Sequence, residues 1–129
     1  MKKNIYLCGG FTSNWQQSVS DKLNERFNII NPRQKEQIRS FLTQEYVAWD
    51  LFHVKNCDIL LVRLESTNPS GIGLSVEVGY AKALGKTIIG IVDKEWQDAN
   101  RRRYFEFVVC CFDVIFESKE DAVEYLKTF

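Results

Sequence analysis

One carboxylate stands out by its position. In the run "NPSGIGLSVEVGYAKALGK", Glu77 separates Val76 from Val78 inside a glycine-started, apolar helical pattern. At about 100° per residue, it shares a face with Ala81 and Leu84, while Ser75, Gly79, Lys82 and Lys86 make the opposite, polar side. An unpaired carboxylate on an apolar face is costly, so a chain that keeps one there gives it a partner or uses it. The helix dipole favours negative charge in the first turns, which accounts for a glutamate near the start but not for its face. A second carboxylate, Asp50, stands at the margin of an expected core stripe of Val47, Leu51 and Val54, beside Tyr46 and His53. Spacing alone favours a surface aspartate hydrogen-bonded to a structural His53. Cys8 is a weaker nucleophile candidate, because no histidine is near it in sequence.

The glycines suggest where such groups could act. Gly9-Gly10 and Gly71-x-Gly73 would let backbone approach a ligand and turn helix N-terminal amides towards an anion, although glycines also simply make turns. The elements around them alternate: "NIYLC", a helix over 14–27, "FNII", a helix over 43–56, "DILLVRL", a helix over 73–84, "TIIGIV", a helix over 101–109, "DVIF" and a helix over 119–127. This alternation predicts an α/β fold, a single-domain three-layer sandwich around a five-stranded parallel sheet, flavodoxin- or Rossmann-like. Continuously apolar "DILLVRL" and "TIIGIV" fit strands covered on both faces. Asn31-Pro32 ends the second strand, and Asp98 or Asn100 is placed to cap the fourth helix. In such sheets ligands bind beyond the carboxyl ends of the strands, so "CGGFTS", "ESTNPSGIG" and "VDKEWQDAN" are expected to converge.

The whole chain, 1–129, reads as one domain. Hydrophobic residues make up 45% and charged residues 26%, with Lys+Arg 17 against Asp+Glu 17, so neither a nucleic acid polymer nor a membrane is an expected partner. The run Arg101, Arg102, Arg103 reads as a solvated helix face, with phosphate or subunit contact as the alternatives. No stretch has the form of a signal peptide or the length of a membrane span, and a cytoplasmic location is expected. Cys8, Cys57, Cys110 and Cys111 form no C-x-x-C pair, and His53 is the only histidine, which argues against structural zinc. All four cysteines are expected to be reduced and mostly in the core.

Taken in order, "IYLCGG", "AWDLFHVKNCDILLV" and "GIGLSVEVGYAKALGKTIIGI" resemble the nucleoside 2-deoxyribosyltransferase family, which includes the 2'-deoxynucleoside 5'-monophosphate N-glycosidases. The similarity spans most of 4–92 and is most specific in the E-x-G-Y-A-x-x-x-G-K block from Glu77 to Lys86. It implies Glu77 as nucleophile, Asp50 as an active-site residue and Tyr6 as the group assisting the nucleophile, with no cofactor. It also implies a small-molecule nucleoside or nucleotide substrate, contacted by Gly9, Gly10, Ser70, Gly71 and Gly73. A homodimer or higher homo-oligomer follows from the same resemblance, with Asn100 a possible contribution to a neighbouring subunit's site.

These residue types suit the implied chemistry. Cleaving an N-glycosidic bond with retention needs a carboxylate to trap the oxocarbenium-like carbon and a second nucleophile to release it. A base as second nucleophile makes a transferase, and water makes a hydrolase. One departure concerns the leaving base: many of the similar transferases carry an aspartate where this chain has Gly71. Like the nucleotide N-glycosidases, it has a serine in that loop, Ser70, and a "Y-x-C-G" strand. Their phosphate-binding serine and arginine after the first strand would fall near Gly10 and Thr12, which do not match. A non-catalytic nucleotide sensor is a further alternative. A dinucleotide-binding protein fits poorly without a third glycine after the first strand, and a receiver domain fits poorly with "CGG" in place of acidic residues.

Overall fold

The computed structural model describes residues 1–68, 70–93 and 99–129, with only the backbone at 99 and 101. Within these residues the strands are β1 (Asn4–Gly9), β2 (Asn28–Ile30), β3 (Ile59–Leu64), β4 (Thr87–Val92) and β5 (Val114–Phe116), and the helices are α1 (Trp15–Leu23), α2 (Thr43–Asn56), α3 (Ile72–Ala83), α4 (Ala99–Val109) and α5 (Lys119–Leu126). All strand pairs are parallel, in the order β2-β1-β3-β4-β5, as the alternating sequence pattern predicts. A 3-10 turn, Pro32–Gln37, follows β2 and was not expected. Asn31 caps it by accepting from the Arg33 amide at 3.1 Å, and Pro32 supplies the fixed φ of a helical start. The first helix stops four residues short of the expected 27, leaving Phe27 buried against the core.

Side chains alternate across the pleat of β1. Ile5 and Leu7 pack with α1 and α5, through Trp15, Val19, Leu23, Val123 and Leu126. Tyr6 and Cys8 point the other way and pack with Val54 of α2 and Leu74, Val78 and Ala81 of α3. Because β2 and β3 flank β1, the chain leaves β1 and β3 in opposite directions. The crevice between those strand ends is the topological switch point where ligands bind in open parallel sheets.

Two helix faces differ from their expected form. Val47 is 51% exposed, so the inward stripe of α2 includes Asp50 and Val54 and not Val47. Leu84 is exposed just beyond α3, where Gly85 turns the chain at φ 72°. The Lys86 and Gly85 amides there bond the Ala81 and Lys82 carbonyls, the glycine-dependent helix stop that explains the "GK" of the sequence block. Cys8 and Cys57 are buried, but Cys110 is exposed and Cys111 half-buried, so only two of the four cysteines belong to the core.

Candidate active site

β1, α2 and α3 bring Tyr6, Asp50 and Glu77 into electrostatic reach of one another. Tyr6 is fully buried, Glu77 is partly exposed, and the two influence each other's ionisation, with Asp50 acting on both. Burial is the largest influence on Glu77 and, with the neighbouring Asp50 charge, raises it to about 7; Cys8, Lys35 and Tyr6 pull the other way. A carboxyl group so tuned exchanges its proton near neutrality. Burial, followed by the Glu77 charge, pushes the Tyr6 phenol far above its ordinary value, so it stays a neutral donor. Its hydroxyl has no hydrogen bond of normal geometry, although the Glu77 carboxylate is its electrostatic neighbour. An orphaned buried hydroxyl beside a carboxylate is a donor available to a group that must change charge.

Cys8 points to the same place. Burial and the Glu77 charge raise its thiol well above the usual range, which makes it inert as a nucleophile. Asp50 is not paired with His53 as the spacing suggested. Its carboxylate bonds the ammonium of Lys35, which arrives from the 3-10 turn, while His53 packs on Trp49 with ring centroids 4.0 Å apart. Lys35 is a residue that sequence reasoning missed. Its one signal is its place in a loop beyond the carboxyl end of a strand.

Of the three segments expected to converge, the two that carry the glycines do so, and 94–98 of the third lie outside the described residues. Gly9, Gly10, Ser70, Gly71 and Gly73, with Asn68, Ile72 and Leu74, line a hollow of about 160 Å³ at the start of α3. The crowding there explains two of the glycines. A Cβ on Gly10 would stand 2.7 Å from the Asn68 side chain, and one on Gly71 would stand 2.3 Å from the Phe105 ring. Phe105 thus fills the space that a side chain at position 71 would need. Asn100 lies inside α4, exposed, and not just before it, while Asp98 and Pro69 fall outside the described residues. Arg102 and Arg103 are exposed, and the side chain of Arg101 is outside the described residues. Among the described residues no group of three His, Cys, Asp or Glu could hold a metal ion, and no helix is long and apolar enough to cross a membrane.

The fold recurs in solved structures. A conserved protein from Enterococcus faecalis V583 superposes with a TM-score of 0.78 at 15% identity, covering 99% of each chain. A 2-deoxyribosyltransferase from Bacillus psychrosaccharolyticus gives 0.71 at 21%, covering 95% of this chain and 91% of that one. A CMP N-glycosidase from Clostridium botulinum gives 0.63 at 18%, covering 98% of each. No curated protein matches the sequence. At these identities the structures speak for the fold, and the sequence itself speaks for the family: the family model described as nucleoside 2-deoxyribosyltransferase like matches residues 2–95, and the chain belongs to that family.

Proposed function

We propose that the protein cleaves the N-glycosidic bond of a deoxynucleoside through a covalent glycosyl-Glu77 intermediate and transfers the deoxyribosyl group to another nucleobase. The observation that carries this reading is Glu77 itself, a carboxylate beside a buried neutral phenol and a second carboxylate, with its ionisation placed near 7. Glu77 attacks the anomeric carbon, the bond to the base breaks, and its electron pair leaves on the base nitrogen. Tyr6 donates to the carboxylate and orients it, and Asp50 orients the sugar hydroxyls. An incoming base nitrogen then attacks the same carbon from the opposite side and frees Glu77. No side chain at position 71 protonates the leaving base, so water or another loop residue supplies its proton.

The glycine-lined hollow favours a second reading, hydrolysis of deoxynucleoside 5'-monophosphates. Backbone amides at the start of α3, with Ser70 and Asn68, suit an anionic oxygen cluster. Incubation with panels of deoxynucleosides and deoxynucleotides, with and without a free acceptor base, separates the two. A new nucleoside marks transfer, free base with sugar phosphate marks hydrolysis, and binding without turnover marks a sensor. Self-association completes the reading. The α2–α4 layer exposes Val47, Phe52, Ile72, Val76, Tyr104 and Phe107, whereas α1 and α5 expose no large apolar side chain, so a homodimer or larger assembly would bury the former layer. Light scattering on the purified protein measures it.

A further inference from the structure

Among the described residues Lys35 is the one buried lysine or arginine, with 4% of its surface exposed. Burying an ammonium is costly unless its surroundings compensate. Here they are built from one helix face: Tyr46, Trp49 and Asp50 stand on α2 at the i, i+3 and i+4 spacing that aligns side chains. The Lys35 ammonium bonds the Asp50 carboxylate and lies 4.4 Å from the centroid of the Trp49 ring and 5.1 Å from that of Tyr46. Both rings present their negative faces to it. The Pro32-started turn and the helix thus hold the charge from two sides, next to the crevice.

We propose that Lys35 is a positioning residue of the active site: clamped by Asp50, Trp49 and Tyr46, its ammonium fixes the Asp50 carboxylate and offsets the two neighbouring carboxylates so that Glu77 attacks as an anion. The inference rests on the reading of Glu77 as the nucleophile and adds the group that governs it. Tyr6 and Cys8 face Glu77 from β1, Asp50 from α2 and Lys35 from the 3-10 turn. Tyr6 and Cys8 remain protonated, so Asp50 opposes the ionisation of Glu77 and Lys35 supports it. His53 feels the same Asp50–Lys35 pair but packs on Trp49. A lysine that served only to pack the turn against α2 would affect folding and leave Glu77 unmoved.

The test compares Lys35→Met, Lys35→Gln and Lys35→Arg in the full chain. Gln keeps a donor for Asp50 without the charge, so it serves if the Met variant does not fold, and Arg keeps the charge. Two quantities are followed against pH: kcat/KM on whichever nucleoside or nucleotide is cleaved, and the carboxyl ¹³C shift of Glu77, assigned by its loss in Glu77→Gln. Removing the charge should raise the Glu77 titration and the acidic limb of the profile by about one pH unit, lowering kcat at pH 7 roughly fivefold and approaching tenfold in more acidic solution, with recovery in alkali. KM should change by less than about threefold, and Lys35→Arg should bring the limb back towards its original position. A Glu77 titration that stays put in both uncharged variants overturns the proposal, whatever the rates do. If the unaltered protein cleaves no member of the panel, the nucleophile reading fails, while the carbon shift still decides whether Lys35 governs Glu77.

Discussion

The two ends of the sheet use carboxylates in opposite ways. At the amino ends, Asp58 and Asp113 stand immediately before β3 and β5, and each makes the same clamp on a neighbouring strand. Asp58 accepts from the Asn4 amide at 2.8 Å and donates its own amide to the Asn4 carbonyl at 2.9 Å; Asp113 does the same with Ile88, at 2.8 Å both ways. At the carboxyl ends, Asp50 is held by a side chain and Glu77 by electrostatic neighbours, and burial opposes the charge on Glu77. A carboxylate satisfied by backbone amides registers strands. One whose charge burial opposes is a cost to the fold, and it is the one we propose for the chemistry.

The sharpest way to break this comparison is to exchange Glu77 for an uncharged residue. Glu77→Ala or Glu77→Gln should abolish glycosidic cleavage by several orders of magnitude while the fold persists, and near-normal turnover in the purified variant would remove Glu77 as nucleophile. The same change should stabilise the protein. Unfolded, the group ionises near the ordinary 4.5 and folded near 7, so the native state holds the proton between these values and loses stability as pH rises through them. Glu77→Gln should therefore raise the unfolding free energy by up to about 3 kcal/mol above pH 7, with the gain shrinking as pH falls from 7 to 4.5 and absent below that. Thermal melts of both proteins across that range check the sign.

Smaller losses are expected from the assisting groups. Asp50→Asn and Tyr6→Phe should lower kcat by roughly 10²-fold each, with less change in ground-state binding, because they act on the nucleophile and on the sugar. Unchanged kinetics in both would return them to structural roles. The amino-end aspartates should behave in the opposite sense. Asp58→Ala and Asp113→Ala should each cost about 1 kcal/mol of stability, read from denaturant melts, and leave turnover per folded molecule unaltered. A selective loss of turnover in either variant would blur the division between the two ends.

Much of the fold was legible because strands covered on both faces must be apolar throughout. "DILLVRL" and "TIIGIV" could hardly be anything else, and their alternation with helical patterns dictated parallel order. Glu77 was legible for a related reason, as a charge on the wrong face of a helix. Asp50 was misread because periodicity assumed that Val47 led inward, whereas a lysine distant in sequence draws the aspartate into the stripe and leaves Val47 in solvent. Lys35 carries no local pattern at all, since its burial depends on rings from a later helix. The absence of a side chain at Gly71 was visible, but its physical reason, the Phe105 ring from α4, lies 34 residues further along the chain.

The central claim is that a sugar becomes bonded to Glu77 during turnover. Rapid acid quenching of the protein with substrate from the active panel, followed by intact-mass and peptide mass spectrometry, tests it most directly. The account predicts a glycosyl adduct on the peptide containing Glu77, present during turnover and absent in Glu77→Gln. Turnover with no adduct under conditions where the intermediate should accumulate, or an adduct carried by another residue such as Cys8, would contradict it.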